Sequence, residues 1–238
     1  MANTIPISEI FGPTVQGEGR QIGLPTVFVR TGGCDFRCSW CDTLYAVLPE
    51  HRRDWTPMSA SAILDEIDRL TEQRPILVTL SGGNPAIHDL GELLRLGHQR
   101  GHTFTMETQG SIARDWFAEL DQLTLSPKPP SSGMTNDPEK FRACLNAAGD
   151  SENTPTELKL VVLNQADFDW ATAFAAAYPE LPLTLQVCNE DPRTAAADPA
   201  VLLGRFDWLV DQVRAAGLHR ARVLPQLHVL AWGSRRGV

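Results

Sequence analysis

Three cysteines in one short segment are the residues of this 238-residue chain most suited to chemistry. Cys34, Cys38 and Cys41 form a C-x3-C-x2-C run directly after an apolar segment. A structural zinc site takes four ligands, usually as two pairs, and no second pair follows. Three thiolates instead suit a [4Fe-4S] cluster whose remaining iron can bind S-adenosylmethionine through its amino and carboxylate groups. Two alternatives stay open: three buried cysteines without a metal, and a zinc site with a distant fourth ligand.

The charge and the hydropathy pattern exclude other function classes. The chain has 21 basic and 29 acidic residues, a formal net charge of -8, so we expect no broad surface for nucleic acid. It has neither an apolar run of about 18 residues nor the charged and apolar regions of an export signal. We therefore expect a cytoplasmic protein that binds no membrane, in which clustered cysteines are metal ligands more often than disulfide partners.

The cysteines must be positioned by strands and helices, and short apolar runs alternate with stretches of helical spacing along the chain. This alternation is typical of a parallel α/β domain. We predict one domain, residues 1–238. After Ser59 and Ser61, two candidate caps, the spacing of Ile63, Ile67 and Leu70 predicts a helix. Segment 127–137 is predicted to be a loop and 45–57 an irregular stretch that closes over a site. The other predictions are strands at 26–30, 76–80, 103–107, 123–125, 158–162, 183–187 and 221–224, and helices at 90–97, 138–148, 167–178 and 199–216.

Polar residues follow the predicted strands at the point where each strand ends. They are Arg30 and the segments 81–84, 107–110, 126–128 and 186–189. Ligands bind at the carboxyl ends of the strands in parallel sheets and barrels. We therefore expect these groups to face one mouth together with the cysteines.

The cysteine spacing, with Trp40 just before the third cysteine, resembles the radical S-adenosylmethionine superfamily. That superfamily has a Gly-Gly-Glu-Pro turn after the second strand, which meets the amino group of the cofactor. Here the turn is Ser81-Gly82-Gly83-Asn84-Pro85, so an amide replaces the acid. The resemblance implies that Trp40, Gly83 and Asn84 contact the cofactor, whereas the glycine pair alone also fits an ordinary strand-to-helix turn.

Further segments resemble one family, the 7-carboxy-7-deazaguanine synthases, over nearly the whole chain. The resemblance implies a partial, incomplete TIM-like α/β barrel of the radical S-adenosylmethionine type and a homodimer. It also implies conversion of 6-carboxy-5,6,7,8-tetrahydropterin to 7-carboxy-7-deazaguanine with loss of ammonia, an electron donor such as flavodoxin or ferredoxin, and a 5′-deoxyadenosyl radical instead of a catalytic side chain. The matching segments are 9–11, 14–19, 23–25, 28–30, 41–43, 126–128 and 224–228.

The same resemblance assigns site residues. Arg30 would hold the substrate carboxylate with its planar fork, and Thr43 would coordinate Mg²⁺. A lone arginine at a strand end is usually structural, and Asp42-Thr43 elsewhere is a common helix cap. The remaining substrate contacts would be Val15, Gln16, Gly17, Glu18 and Ser81, and the remaining cofactor contacts Ser126, Pro127, Lys128, Gln186 and Asn189.

The C-terminal residues and Cys188 are less diagnostic. Cys188 is interpreted as a buried apolar thiol, and His228, Trp232 and the terminal residues 237–238 either close the pocket or pack in the core. Two other functions fit parts of the sequence. One is a radical-generating activase that acts on a partner protein, and the other is a zinc-stabilised binding module in which the Asp42-Thr43 pair and the glycine turn have no role.

Overall fold

The computed structural model describes residues 4–149, 154–189, 199–233 and 235–238. In this part of the chain the fold is a nine-stranded sheet with helices packed against it. The strands are β1 (Ile5–Val15), β2 (Pro25–Thr31), β3 (Thr56–Met58), β4 (Leu77–Gly82), β5 (Thr103–Thr108), β6 (Gln122–Leu125), β7 (Thr156–Val162), β8 (Leu183–Val187) and β9 (Ala221–Leu224). The helices are α1 (Leu44–Val47), α2 (Ala60–Thr71), α3 (Gly91–Gln99), α4 (Pro138–Ala148), α5 (Gln165–Ala176), α6 (Pro199–Ala215) and α7 (Leu227–Trp232).

The sheet is mostly parallel and stays open. Its order is β3-β1-β2-β4-β5-β6-β7-β8-β9, and the strands from β2 through β9 pair in parallel. β1 is antiparallel to β2, and the short β3 is antiparallel to β1. Because β3 and β9 lie at opposite edges, the sheet does not close. The predicted α/β fold with a partial barrel is confirmed.

The alternation of side chains along a strand divides the sheet into an apolar and a polar face. On β7, Leu158, Leu160 and Val162 belong to the hydrophobic core beneath the helices. Glu157 and Lys159, at the positions between them, point to the other face, where they line cavities. The apolar core therefore lies between the sheet and the helices, and the other face of the sheet carries polar groups.

The helix signals in the sequence correspond to observed caps. Ser59 accepts a hydrogen bond from the N–H of Ala62 at 3.2 Å and begins α2, while Ser61 lies inside the first turn. Asp137 caps α4 by accepting from the N–H groups of Glu139 and Lys140. These bonds satisfy N–H groups that have no partner within the helix. None of the described helices is long and apolar enough to cross a membrane.

All seven predicted strands and five predicted helices form, with ends that differ by at most three residues, and 127–137 is a loop with one 3-10 turn, Pro130–Ser132. β1 was not predicted from the sequence. Its residues are mostly half-buried, and its pairing register with β2 shifts twice. The prediction that 45–57 is irregular was wrong in part. This stretch holds part of α1, a 3-10 helix (Pro49–Asp54) and the start of β3, and it is fixed by buried Trp55, which packs against Gly32.

Candidate active site

A cavity of about 280 Å³ opens at the carboxyl ends of the parallel strands. Its wall combines the three clustered cysteines with groups from the N-terminal segment, from the strand ends and from the C-terminus. As the sequence predicts, these groups meet at one mouth. The residues that line it include Glu9, Val15, Gln16, Gly17, Glu18, Arg30, Cys34, Cys38, Trp40, Cys41, Asp42, Thr43, Tyr45, Ser81, Gly82, Gly83, Glu107, Lys128, Lys159, Gln186, Cys188, Asn189, Gln226, His228, Arg236, Gly237 and Val238.

The cysteine loop follows β2 and is fixed by neighbouring backbone. The N–H of Ser39 donates to the carbonyl of Ser132 at 3.0 Å, and the Trp40 indole donates to the hydroxyl of Ser131 at 3.0 Å. The N–H of Cys41 donates to the carbonyl of Cys38 at 3.2 Å. The loop therefore presents its three thiols to the cavity from a backbone held by the 130–132 turn.

The three thiols of the cysteine loop line the same cavity. Among the described residues, no three His, Cys, Asp or Glu side chains lie together as the ligands of one ion would. Burial raises the pKa values of Cys34 and Cys41, and it raises the pKa of Cys38 to about 11. Coordination to iron would remove those protons, because metal-bound thiols are deprotonated.

The glycine turn after β4 packs against the cysteine loop. The N–H of Asn84 donates to the carbonyl of Gly33 at 2.8 Å, and the N–H of Gly83 donates to Thr31 at 3.2 Å. A Cβ at Gly83 would overlap the Gly33 carbonyl and lie 2.9 Å from the Cβ of Cys34. A Cβ at Gly82, whose φ is 138°, would overlap the backbone of Thr31. The glycines are thus needed where two backbone turns meet beside the thiols.

Asn84 is placed differently from the sequence expectation. Its side chain is fully buried and does not line the cavity. Its carbonyl accepts from Thr108 at 2.8 Å and from the N–H of Ala86 at 3.2 Å, while its amide donates to Asp35 at 2.8 Å and Ser111 at 3.3 Å. Every polar atom of this side chain has a partner within the protein, so Asn84 braces the turn from behind.

Arg30 lies at the end of β2 and reaches the cavity wall. Its Nε donates to Oε1 of Glu9 at 2.7 Å, its Nη1 to the hydroxyl of Ser81 at 3.3 Å, and its side chain is 14% exposed. Tyr45 donates to the same oxygen of Glu9 at 2.8 Å. The structure therefore brings the two predicted substrate contacts, Arg30 and Ser81, into direct contact, with Glu9 orienting the guanidinium.

The segment 15–18 lies on the wall of the cavity, which Arg30 also lines. The N–H of Gln16 donates to Leu24 at 2.9 Å, its carbonyl accepts from Gly23 at 2.8 Å, and its side chain accepts from the N–H of Glu18 at 3.2 Å. A Cβ at Gly17 would overlap the ring of His228. Val15 to Glu18 all line the cavity.

Glu18 is held by groups from distant parts of the chain. Lys159, whose side chain is 2% exposed, donates to Glu18 and, at 2.7 Å, to Glu107. The Gln226 amide donates to the other oxygen of Glu18 at 2.9 Å, and Nε2 of His228 lies 4.0 Å away. Burial raises the pKa of Glu18, but the charges of Lys159 and His228 outweigh it and hold that pKa well below its ordinary value.

Thr43 stands at the start of α1 without capping it. Its hydroxyl makes no capping hydrogen bond and lies 3.6 Å from the sulfur of Cys41. Asp42 is exposed, and both residues line the cavity. The helix-cap alternative therefore does not explain this hydroxyl, which is hydrogen-bonded to the Cys41 sulfur.

The predicted cofactor contacts divide into two groups. Lys128, Gln186 and Asn189 line the cavity together with Trp40 and Gly83, whereas Ser126 and Pro127 are buried behind it. Lys128 donates to the hydroxyl of Ser126 at 3.1 Å. Oε1 of Gln186 is buried and has no hydrogen-bond partner in the described structure, so it fits a donor of a bound ligand.

The C-terminus reaches the same cavity. His228, Gly237 and Val238 line it, but Trp232 does not. The guanidinium of Arg236 stacks on Tyr45 and lies 3.5 Å from Glu9. Cys188 is 3% exposed, and burial raises the pKa of its thiol to about 12, in line with an inert apolar thiol.

The sequence assigned no role to several polar residues of the cavity, among them Glu9, Tyr45, Lys159, Gln226 and Arg236. Lys159 was detectable in principle, because a lysine between Leu158 and Leu160 interrupts an apolar strand and buried lysines require partners. The others contact the site through long-range pairs, such as Gln226 with Glu18, that no local spacing reveals.

The sequence and the fold of this chain are similar to those of known proteins. A sequence profile described as the radical SAM superfamily matches residues 28–128. The 7-carboxy-7-deazaguanine synthase of Bacillus subtilis is 42% identical and that of Bacillus cereus 40%, the alignments covering 100% and 98% of this chain and 100% and 99% of the relatives. The crystal structure of QueE from Escherichia coli is similar in fold, with a TM-score of 0.70 and 24% identity over 94% of this chain and 95% of that one.

Proposed function

The chain belongs to the 7-carboxy-7-deazaguanine synthase family of radical S-adenosylmethionine enzymes, and on this basis we propose that it converts 6-carboxy-5,6,7,8-tetrahydropterin to 7-carboxy-7-deazaguanine with release of ammonia. The observation that carries the proposal is the shared cavity. Arg30, Ser81 and the segment 15–18 face it from one side, and the three cysteines face it from the cluster loop. Neither the activase nor the zinc module accounts for this arrangement.

The chain's own residues bind and orient the substrate. The guanidinium of Arg30, fixed by Glu9, offers a planar pair of donors for a carboxylate. Glu18, ionised beside Lys159, offers acceptor oxygens to the N–H groups of a pterin ring. Cys34, Cys38 and Cys41 would hold a [4Fe-4S] cluster, which with an electron donor and S-adenosylmethionine would supply the radical chemistry.

The C-terminal residues complete the enclosure. Arg236 fastens the tail to Tyr45 and Glu9, and Gly237 and Val238 lie on the cavity wall. Covering the site keeps water from a reactive intermediate and strengthens the polar contacts inside. The tail thereby adds exclusion of water to the orientation that Arg30 and Glu18 provide.

The proposal also covers the metal ion, the electron donor, the oligomeric state and the domain organisation. We propose that the Thr43 hydroxyl coordinates Mg²⁺ at the substrate, which its lack of a capping bond supports. We also propose a flavodoxin or ferredoxin as electron donor, a cytoplasmic homodimer, and one domain over residues 1–238. The Mg²⁺ ion, the electron donor and the homodimer rest on the family resemblance.

One anaerobic assay tests the proposed function. The reconstituted protein receives dithionite, S-adenosylmethionine, Mg²⁺ and carboxytetrahydropterin, and mass spectrometry follows 7-carboxy-7-deazaguanine. We expect product from the wild type and from Cys144→Ala, whose sulfur is buried outside the cavity, and none from Cys38→Ala. Formation of 5′-deoxyadenosine without the deazaguanine acid would contradict the assigned substrate while leaving the radical chemistry in place.

A further inference from the structure

Lys159 is the buried ammonium group closest to the substrate-binding segment. It lies in the middle of β7, on the polar face of the sheet, with its side chain 2% exposed. Its Nζ bridges Glu18, from the segment after β1, and Glu107, from β5. One side chain thus joins a segment outside the sheet to two strands inside it.

The segment that carries Glu18 has few other anchors to the sheet. Residues 16–18 follow the end of β1 and form none of the strands. Their backbone contacts are with Gly23, Leu24 and Leu227, which lie at the rim. The neighbouring Arg20 N–H donates to the buried carboxylate of Glu157 at 2.7 Å, two residues before Lys159 on the same face of β7. β7 therefore supplies two side chains, Glu157 and Lys159, that hold this segment, in addition to Gln122 of β6 and Gln226.

The charged groups around Glu18 make Lys159 its principal counter-ion. Lys159 faces it from β7, His228 from α7 and Glu107 from β5, while the neutral Gln226 donates to it. Glu157 lies behind the segment on β7. Without Lys159, Glu18 and Glu107 would face each other in a buried site, and like charges in such a site favour protonation.

We propose that Lys159 is a positioning residue for the reaction, holding the Glu18 carboxylate ionised and in one orientation on the cavity wall so that the 15–18 segment binds the substrate ring. This proposal rests on the proposed function. Lys159 acts through Glu18. The two carboxylates outweigh the effect of burial and raise the pKa of Lys159 above its ordinary value, so the ammonium keeps its proton at neutral pH and is not a proton donor to substrate.

The test measures steady-state kinetics of the reconstituted holoenzyme between pH 6 and 9. Wild type, Lys159→Met, Lys159→Arg and the control Lys140→Met, an exposed lysine on α4, are compared. We expect Lys159→Met to raise the substrate KM at least tenfold at pH 6.5, with a smaller change in kcat. The ratio of its KM to that of wild type should fall as pH rises, because Glu18 regains its charge. Lys159→Arg should restore KM to within about threefold, and Lys140→Met should match wild type.

Two further measurements keep the proposal falsifiable. Iron and sulfide content, and 5′-deoxyadenosine formation without substrate, report whether the cluster site is intact in each variant. If Lys159→Met does not fold, the double variant Lys159→Met/Glu107→Gln, which leaves one fewer carboxylate unpaired, replaces it. Its KM ratio should also fall as pH rises, but by less, because burial alone then raises the pKa of Glu18. A KM ratio that equals one, or that is the same at every pH, overturns the proposal. A wild-type enzyme that makes no deazaguanine acid overturns the proposed function instead.

Discussion

The guanidinium carbon of Arg236 lies 3.4 Å from the ring centroid of Tyr45, and the same side chain approaches Glu9 at 3.5 Å. Tyr45 and Arg30 both donate to the other oxygen of Glu9. The C-terminal tail and the residue that we expect to bind the substrate carboxylate therefore share one acidic partner.

Replacing Arg236 with Ala should loosen this tail. A cation–π contact at an exposed site contributes about 0.5–1 kcal/mol, so we expect the substrate KM to rise about two- to fivefold. Arg214→Ala, which breaks an exposed pair with Asp211 on α6, serves as control. A KM that does not differ between the two variants would show that the tail does not contribute to binding.

Arg30→Lys keeps the charge but removes the planar pair of donors. Hydrogen bonds between charged groups contribute about 1.5–3 kcal/mol, so kcat/KM should fall roughly 10- to 150-fold. Arg69→Lys, in an exposed pair with Glu66, should leave kcat/KM unchanged. Unaltered kinetics of Arg30→Lys would refute the carboxylate role.

Thr43→Ala should separate ion binding from helix stability. Since Thr43 makes no capping bond, we expect a change in the free energy of unfolding below about 0.5 kcal/mol and a large loss of the Mg²⁺ dependence of turnover. Ser59→Ala removes a true cap and should cost about 1 kcal/mol while retaining Mg²⁺ dependence. The titration of turnover with Mg²⁺ and the thermal unfolding of both variants provide the comparison.

Asn84→Asp introduces a carboxylate where the superfamily turn has glutamate, but the structure predicts a loss of stability. The variant loses the donors to Asp35 and Ser111 and places a carboxylate where the amide now lies 2.8 Å from Asp35. We expect a loss of about 1–3 kcal/mol in the free energy of unfolding and no tighter cofactor binding. Denaturant unfolding would measure it, with the exposed Gln99→Glu as control. A gain in S-adenosylmethionine affinity would show that residue 84 faces the cofactor.

Gly83→Ala should displace the cysteine loop, because its Cβ would overlap the Gly33 carbonyl. Iron and sulfide per chain should fall well below the wild-type values. Gly204→Ala, on α6 with open space around the added methyl, should load the cluster fully and gain up to about 1 kcal/mol in helix stability. Equal cluster content in both variants would contradict the interlocking of the two turns.

Local pattern was sufficient to predict the parallel strands, their helices and the mouth at which Arg30 and the cysteines meet. The apolar runs and the serine and aspartate caps carry that information within a few residues. It was insufficient for β1, in which Gly12, Pro13 and two register shifts obscure the alternation. It was also insufficient for the direction of Asn84, because three of its four partners, Asp35, Thr108 and Ser111, come from other segments.

The separation of the two faces of β7 has a consequence for how such an enzyme diversifies. Leu158 and Leu160 carry the packing against the helices, whereas Glu157 and Lys159 contribute nothing to that hydrophobic layer. Replacements on the inner side therefore alter ligand chemistry without opening voids in the interior that sustains folding. The scaffold can in this way acquire selectivity for a different heterocycle by exchanging inward side chains while its outward ones stay constant.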